Sequence, residues 1–435
     1  MSLRGRMIRQ WTYSKENEEE EVAVIGETAD NVESRIAEAD ATEREVDDIE
    51  QAIDDGERDA KVLRETADAL EETEQEGGAS PVAARLAEVA TEGIFLAYGF
   101  KTRPIASLEA FNSKASRIQA TRISVEAMRD AANKLNVAVE GLWDTFKETV
   151  AKWWSKVISS AEMTLKRANK LRAAFEEAAE PGQGEVSGGF TKTLSTAQGF
   201  SKEGVMQSVK ALSESGTYFK KAYSGLNDFY SKVQSETDPV KLANLVDDML
   251  AKSFTKLEAD KIKPVKHFFG LITSKNYSYY RISPGTFGNK VIAVVADNKT
   301  GEADEDHVNE GFYAVKVSTV TLTDDKPVKG PVPALSKKEA ISVTDAVIKG
   351  LEAVIDQQKE QKQMVEKSAN IFRAARAVGK DKTDPYAKDL YKLDTQLTNG
   401  ISKLASLAVS VAHAALDYAQ KSMSVAAAAA PAAEA

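Results

Sequence analysis

The chain has 435 residues, 42% hydrophobic and 29% charged, which is enough for two or three domains and a sizeable core. It contains no cysteine, which excludes disulfides, thiol catalysis and thiolate metal sites. The formal net charge of −10 conceals two unlike parts. Met1 to Glu92 holds 27 acids and 10 bases, a net of −17, while Gly93 to Ala435 holds 47 bases and 40 acids, a net of +7. Such asymmetry points to an acidic segment that shields, solubilises or is removed, attached to a body that tolerates polyanions.

The first residues, "MSLRGRMIRQW", are basic but lack the apolar core of a secretory signal, so none is expected. Glu16 to Glu76 is dominated by acid and alanine. Within it Val32, Ala39, Val46, Ile53, Ala60 and Ala67 recur every seven residues, and Ile49, Leu63 and Leu70 partly fill a companion seam. Gly56 interrupts the pattern. The expectation is a solvated, partly helical acidic arm rather than a stable coiled coil. "EGGASP", Glu76 to Pro81, breaks the chain.

Ser113 to Glu180 reads as one or two helices. Leu135, Val139, Leu142, Phe146, Val150, Trp153, Val157, Leu165, Ala168, Leu171 and Phe175 follow three- and four-residue steps, with one wide gap, and form one apolar stripe. "EPGQGEVSGG", Glu180 to Gly189, ends the helix and resembles a linker. Phe190 to Lys261 is helical again, with Asp238-Pro239 starting a fresh helix. The period then changes. "YSYYRIS", "KVIAVVAD" and "GFYAVKVSTVTLT" are β-branched and aromatic, joined by "SPGTFGN" and a polar loop, and predict a small antiparallel sheet. Ser336 and Glu339 form a capping box before Ile341 to Val378, which pairs with Pro385 to Met423 across "GKDKTD". An Ala-rich tail follows.

The expected fold is therefore α+β: predominantly α-helical, with a small antiparallel sheet and a C-terminal helical pair packed on it. The expected organisation is an acidic precursor arm (1–92), an amphipathic helical region (93–180), a Gly/Pro linker (181–189), a helical segment plus sheet (190–335), the helical pair (336–425) and the tail (426–435).

Chemistry is sparse. "SPGTFGNK" lacks phosphate-loop spacing and reads as a hairpin turn. "DNKTGEADEDHVNE" lacks the alternating ligands of a calcium loop. His267, His307 and His413 lie far apart and form no metal-ligand spacing. His267 reads as a core or interface residue and His307 as solvated. No nucleophile has a base that can be named, so neither catalysis nor a cofactor is expected.

Two features remain. One is the Trp-bearing helix around "LWDTFKETVAKWWSKVISS", with Lys147, Lys152, Lys156, Lys166, Arg167, Lys170 and Arg172. Its plain reading is a bundle helix with solvated lysines; its functional reading is a surface for phosphates or lipid headgroups. With a net charge of only +7, any DNA binding is expected to be weak, sequence-independent and salt-sensitive. The other is a set of tripeptides with a small first residue and a final glutamate, followed by Gly or Ala. They end at Glu92, Glu109, Glu126 and Glu140. Glu92 stands out because it lies where the charge changes sign.

"RPIASLEAFNSKASRIQATRISVEAM", followed by "LWDTFKETVAKWWSKVISSAEMTLKRANKLRAA", resembles the internal head proteins of large tailed bacteriophages, as do the β-rich segment and "LSKKEAISVTDAVIKGLEAV". The likeness covers roughly Gly93 to Lys380. It implies a structural protein, made in the host cytoplasm and packaged in the virion interior. The implied partners are double-stranded DNA, bound weakly and non-specifically, a prohead protease, and capsid or scaffold proteins. It also implies cleavage after small-x-Glu motifs, which Glu92, Glu109 and Glu126 match. In this reading the arm from Glu16 to Glu92, with 27 acids and 6 bases, masks the basic body until one cut removes it. Two other readings compete. A membrane-active protein would use the Trp/Lys helix with the apolar C-terminal helix, and a cytoplasmic scaffold would use the heptads.

Overall fold

The computed structural model describes residues 29–196, 199–233, 248, 255–257, 277–282, 287–288, 290–297, 316–321, 330–378 and 385–425. The expected helix start at Asp238-Pro239, the residues His267 and His307, most of "SPGTFGN", the acidic loop, "GKDKTD" and the Ala-rich tail lie outside the described residues. The chain divides into two compact units. The described part of the first is Thr42–Lys152; that of the second is 29–41 and the described chain from Trp153 on.

Helix α1 runs from Ala29 to Glu74 without a break. Every residue of its seven-residue repeat is buried, from Val32 through Ala39, Val46, Ile53 and Ala60 to Ala67, as are Ile49, Leu63 and Leu70. The expectation of a solvated arm is corrected at this seam: the acids occupy the outer face while the sparse apolar residues all find partners. In the first unit those partners lie partly on α3, Lys114–Glu177, whose Val125, Met128 and Leu135 share one cluster with Leu63, Ala67 and Leu70. Gly56 is not an interruption either. It is helical and buried, and a Cβ there would lie 2.6 Å from Val139 Cγ2, so its missing side chain allows close approach.

Between these helices lies α2, Pro81–Tyr98, and its ends explain the breaker before it. Glu76–Gly78 turns the chain, with Gly77 at φ 103° and Gly78 at φ 90°. Ser80 caps the helix by accepting the Ala83 N–H at 3.1 Å, and Pro81 occupies the first turn. Gly99, at φ 69°, closes it in the left-handed region. The buried face is Ala84, Ala87, Thr91 and Phe95. The loop after it carries a short 3-10 turn, Leu108–Phe111, anchored by fully buried Phe111. Buried Thr121 and Ser124 of α3 accept the Ala79 and Ala106 N–H groups, each at 2.9 Å, and so fix both ends of this excursion.

In the second unit β1, Glu185–Val186, leads into α4, Phe190–Leu194, and α5, Lys202–Val233. Strands β2 (Thr255–Leu257), β3 (Tyr277–Ile282), β4 (Lys290–Asp297) and β5 (Lys316–Thr321) form an antiparallel sheet in that order. In the backbone register Val291 pairs with Val320 and Val294 with Val317. Strand β6, Val332–Pro333, pairs antiparallel with β1. The expected capping box is present. The Ser336 N–H donates to Glu339 Oε2 at 2.8 Å and the Glu339 N–H to Ser336 Oγ at 3.3 Å, and α6, Lys337–Val378, starts there. Burial pushes the Glu339 carboxyl up, but hydrogen bonds from Ser336 and Lys202 hold it below its usual range. Helices α5 and α6 approach closely where Gly350 sits over Leu212 and Gly216 over Ala353. Finally α7, Pro385–Met423, pairs with α6 and covers the sheet edge. Buried Gln396 accepts the Val317 N–H at 3.2 Å, and Gly400 lies beside the Val317 side chain. The result is predominantly α-helical with a small antiparallel sheet and a C-terminal helical pair, as the sequence patterns predict.

A Cβ on Gly78 would sit 2.6 Å from the Arg117 carbonyl carbon at a positive φ, so Gly78→Ala is expected to destabilise the protein by about 1–3 kcal/mol. Gly141 is helical with nothing within 4 Å, and Gly141→Ala is expected to stabilise by roughly 0.5–1 kcal/mol. Urea unfolding of the two variants checks both signs.

Candidate functional site: a basic helix and three glutamates

The basic residues of α3 fall into two kinds. Lys152, Lys166 and Lys170 are exposed, and Lys147 and Lys156 are half-buried. Lys147 and Lys152 belong to the first unit. In the second unit Lys156, Lys166 and Lys170 share one face at 3.6 residues per turn. The tryptophans of the same helix are not on its surface: Trp143, Trp153 and Trp154 are all buried. They serve the core, and the lysines remain as the polar face, which is the plain reading of the pattern.

Two arginines are used differently from expectation. Arg172 is half-buried and paired with Glu176 on its own helix and with Asp345 of α6, at 2.6 Å for the latter. Arg167 is only 7% exposed, which removes it from the candidate DNA-contacting surface. Its guanidinium donates to Asp417 Oδ1 at 2.6 Å, Gln420 Oε1 at 2.8 Å and His413 Nδ1 at 3.2 Å. Because a guanidinium only donates, His413 must accept at Nδ1 and carry its proton on Nε2, which lies 3.6 Å from Asp417 Oδ2. Burial lowers the His413 pKa; Asp417 opposes that shift, Arg167 adds to it, and Glu33 opposes it weakly. The sequence carried one signal for this cluster, the four-residue spacing of His413 and Asp417 inside an apolar run.

Glu92, Glu109 and Glu126 are all exposed, but their backbones differ. Glu92 lies inside α2 and follows fully buried Thr91, whose hydroxyl donates to the Ala87 carbonyl at 2.7 Å. Glu126 lies inside α3 and follows buried Val125. Glu109 lies in the 3-10 turn and follows Leu108, which is half-buried. A protease binds an extended backbone. Two of these bonds therefore require a long helix to unwind, and the third requires one short turn to open. Glu140, the remaining match, is also exposed within α3.

Acids of α1 pair with bases beyond the charge reversal. Arg129 reaches Glu71 at 2.6 Å and Asp68 at 2.8 Å, and Arg122 pairs with Glu74. The Arg129 hydrogen bond holds the Glu71 carboxyl below its usual range. Among the described residues no group of His, Asp and Glu could hold a metal ion, and no helix is long and apolar enough to cross a membrane.

Long helices with buried aromatics and a small antiparallel sheet define a predominantly α-helical α+β protein. The family model for phiKZ-like phage internal head proteins matches residues 27–432, and the chain belongs to that family. Its place is thus the interior of the phage head. No curated protein and no solved structure matches it.

An unfolded His413 titrates near its ordinary 6.5 and the folded one lower. Its contribution to stability is complete above the unfolded value and is lost as pH falls from there through the folded value. The urea midpoint is expected to drop as the pH falls below the ordinary histidine value, and His413→Gln to flatten that drop.

Proposed function

We propose that this internal head protein is a non-enzymatic packing component that lies against the genome and is trimmed by the prohead protease. Membership of the internal head family carries the reading. The charge distribution supports it: the acids concentrate before Gly93 and the bases after it. The lysine face of α3 meets phosphates without reading bases, so affinity comes from counterion release. Exposed Lys152 in the first unit, and exposed Lys166 and Lys170 in the second, are the candidates; Arg167 is buried and is not.

The trimming site this reading favours is Glu109. A cut there leaves α1 and α2 attached through the apolar cluster of Leu63, Ala67, Leu70, Phe95 and Met128 rather than by the chain. The fragment is then held by packing, and release needs a second event that opens that cluster.

Two measurements test this. Intact-mass spectrometry of protein from native particles is expected to find a chain beginning at Ala110; a chain that keeps its first residues, or begins at Gly93 or Ala127, sinks the choice of Glu109. On DNA-cellulose, replacing Lys152, Lys166 and Lys170 together with Gln is expected to cut retention and lower the salt slope by roughly three. Retention equal to that of the unsubstituted protein at low salt would remove this face from the proposal.

A further inference from the structure

Among the described residues the large apolar side chains that stay exposed concentrate on α2. Val82, Leu86, Val89 and Leu96 are 65–70% exposed. Their spacing, with Gly93 included, alternates four, three, four and three residues, which is one continuous seam on a helix. Gly93 lies on it with nothing within 4 Å of where a Cβ would be. The opposite face, Ala84, Ala87, Thr91 and Phe95, is buried, so α2 is apolar on both sides but covered on one. A monomer that leaves such a stripe open is marked for association.

We propose that this stripe is a two-fold interface in which α2 packs antiparallel on α2 of a second copy of the chain. The flanking residues select that occupant and that direction. One edge of the seam carries Arg85 and Glu92, and the other carries only Ala83, Ala90 and Ala97. With the axis at Val89, each Arg85 meets the other copy's Glu92, and each Leu86 fills the space left by the other copy's Gly93. Val82 then faces Leu96, and the alanine edges face each other and allow close approach. In a parallel pair each charged edge would face alanines, and the complementarity would vanish. Arg85 already holds Glu88 of its own helix at 2.5 Å, which leaves its remaining donors for the partner's carboxylate. Eighteen residues make a small interface, so the dimer forms at high protein concentration and dissociates on dilution.

The test uses the full chain in sedimentation equilibrium, with circular dichroism as the folding control. A reversible monomer–dimer equilibrium is expected. Leu86→Glu, at an exposed position, should weaken it about tenfold or more with helix content unchanged. Arg85→Glu should weaken it a few-fold, and adding Glu92→Arg in the same chain should restore it. Because the chain has no cysteine, single thiols report direction. Val89→Cys should oxidise to a covalent dimer, whereas Val82→Cys should do so only when mixed with Leu96→Cys. A monomer at every concentration, whether the stripe is bare or taken by another protein, overturns the proposal. So does a dimer indifferent to Leu86→Glu, or a Val82→Cys chain that crosslinks to itself as readily as Val89→Cys.

Discussion

One apolar seam holds the most acidic part of this chain in place. In the first unit Val46, Ile49, Ile53, Leu63 and Leu70 of α1 are each at most 3% exposed. Burial of such a side chain contributes about 1.5–3 kcal/mol. The ion pairs beside the seam, Arg129 with Asp68 and Glu71 among them, are exposed, and solvent screens exposed pairs until they contribute far less than that burial. Apolar packing therefore decides that α1 stays, and the charges decide only what its outer face presents. Two carboxylates beside the seam take part in the packing through hydrogen bonds. Asp59 accepts from Tyr98 at 3.0 Å, and Glu57 accepts from the Trp143 indole at 3.3 Å.

The second unit solves a different problem, a long apolar helix that must be oriented as well as buried. Phe190 stacks on Tyr418 with ring centroids 5.0 Å apart, and Phe200 meets the same ring edge-on at 5.3 Å. The Tyr418 hydroxyl donates to the Pro333 carbonyl at 2.5 Å, which fixes the rotation of α7 about its axis. The Arg167 cluster fixes it again through His413, Asp417 and Gln420. A guanidinium donating to three acceptors spaced along one face of α7 restricts its rotation, which leucine and alanine packing alone does not.

Much of this fold is legible in the sequence because its helices are long and periodic. The heptads of α1, the three- and four-residue steps of α3 and the Ser336–Glu339 box each encode a local rule, and the structure obeys them. What the sequence hid is tertiary. Gly56 breaks a heptad on paper, yet it is where Val139 needs room, and only the partner helix reveals that. Arg167 sits in a run of basic residues and looks like one of them; its acceptors lie some 250 positions away, on a helix whose apolar composition gives little warning. Both faces of α2 carry apolar residues at helical spacing, and spacing alone does not say which of the two the core takes.

The charge step and the backbone boundary do not coincide, and that mismatch constrains any account of how the acidic part is used. Composition changes at Glu92, in the middle of α2, while the backbone leaves the helix only at Gly99 and re-enters one at Lys114. Cleavage alone changes no net charge, because a severed α1 still rests on its seam. Electrostatics supplies the missing force. Exposed carboxylates brought within about 10 Å of dense phosphates at physiological salt are repelled, whereas the lysine face of α3 is attracted. Under the proposed processing, packing DNA strains the seam in the direction that separates the two charge types, and the severed chain lets it open. On that proposal the cut permits separation, and the arriving polyanion drives it.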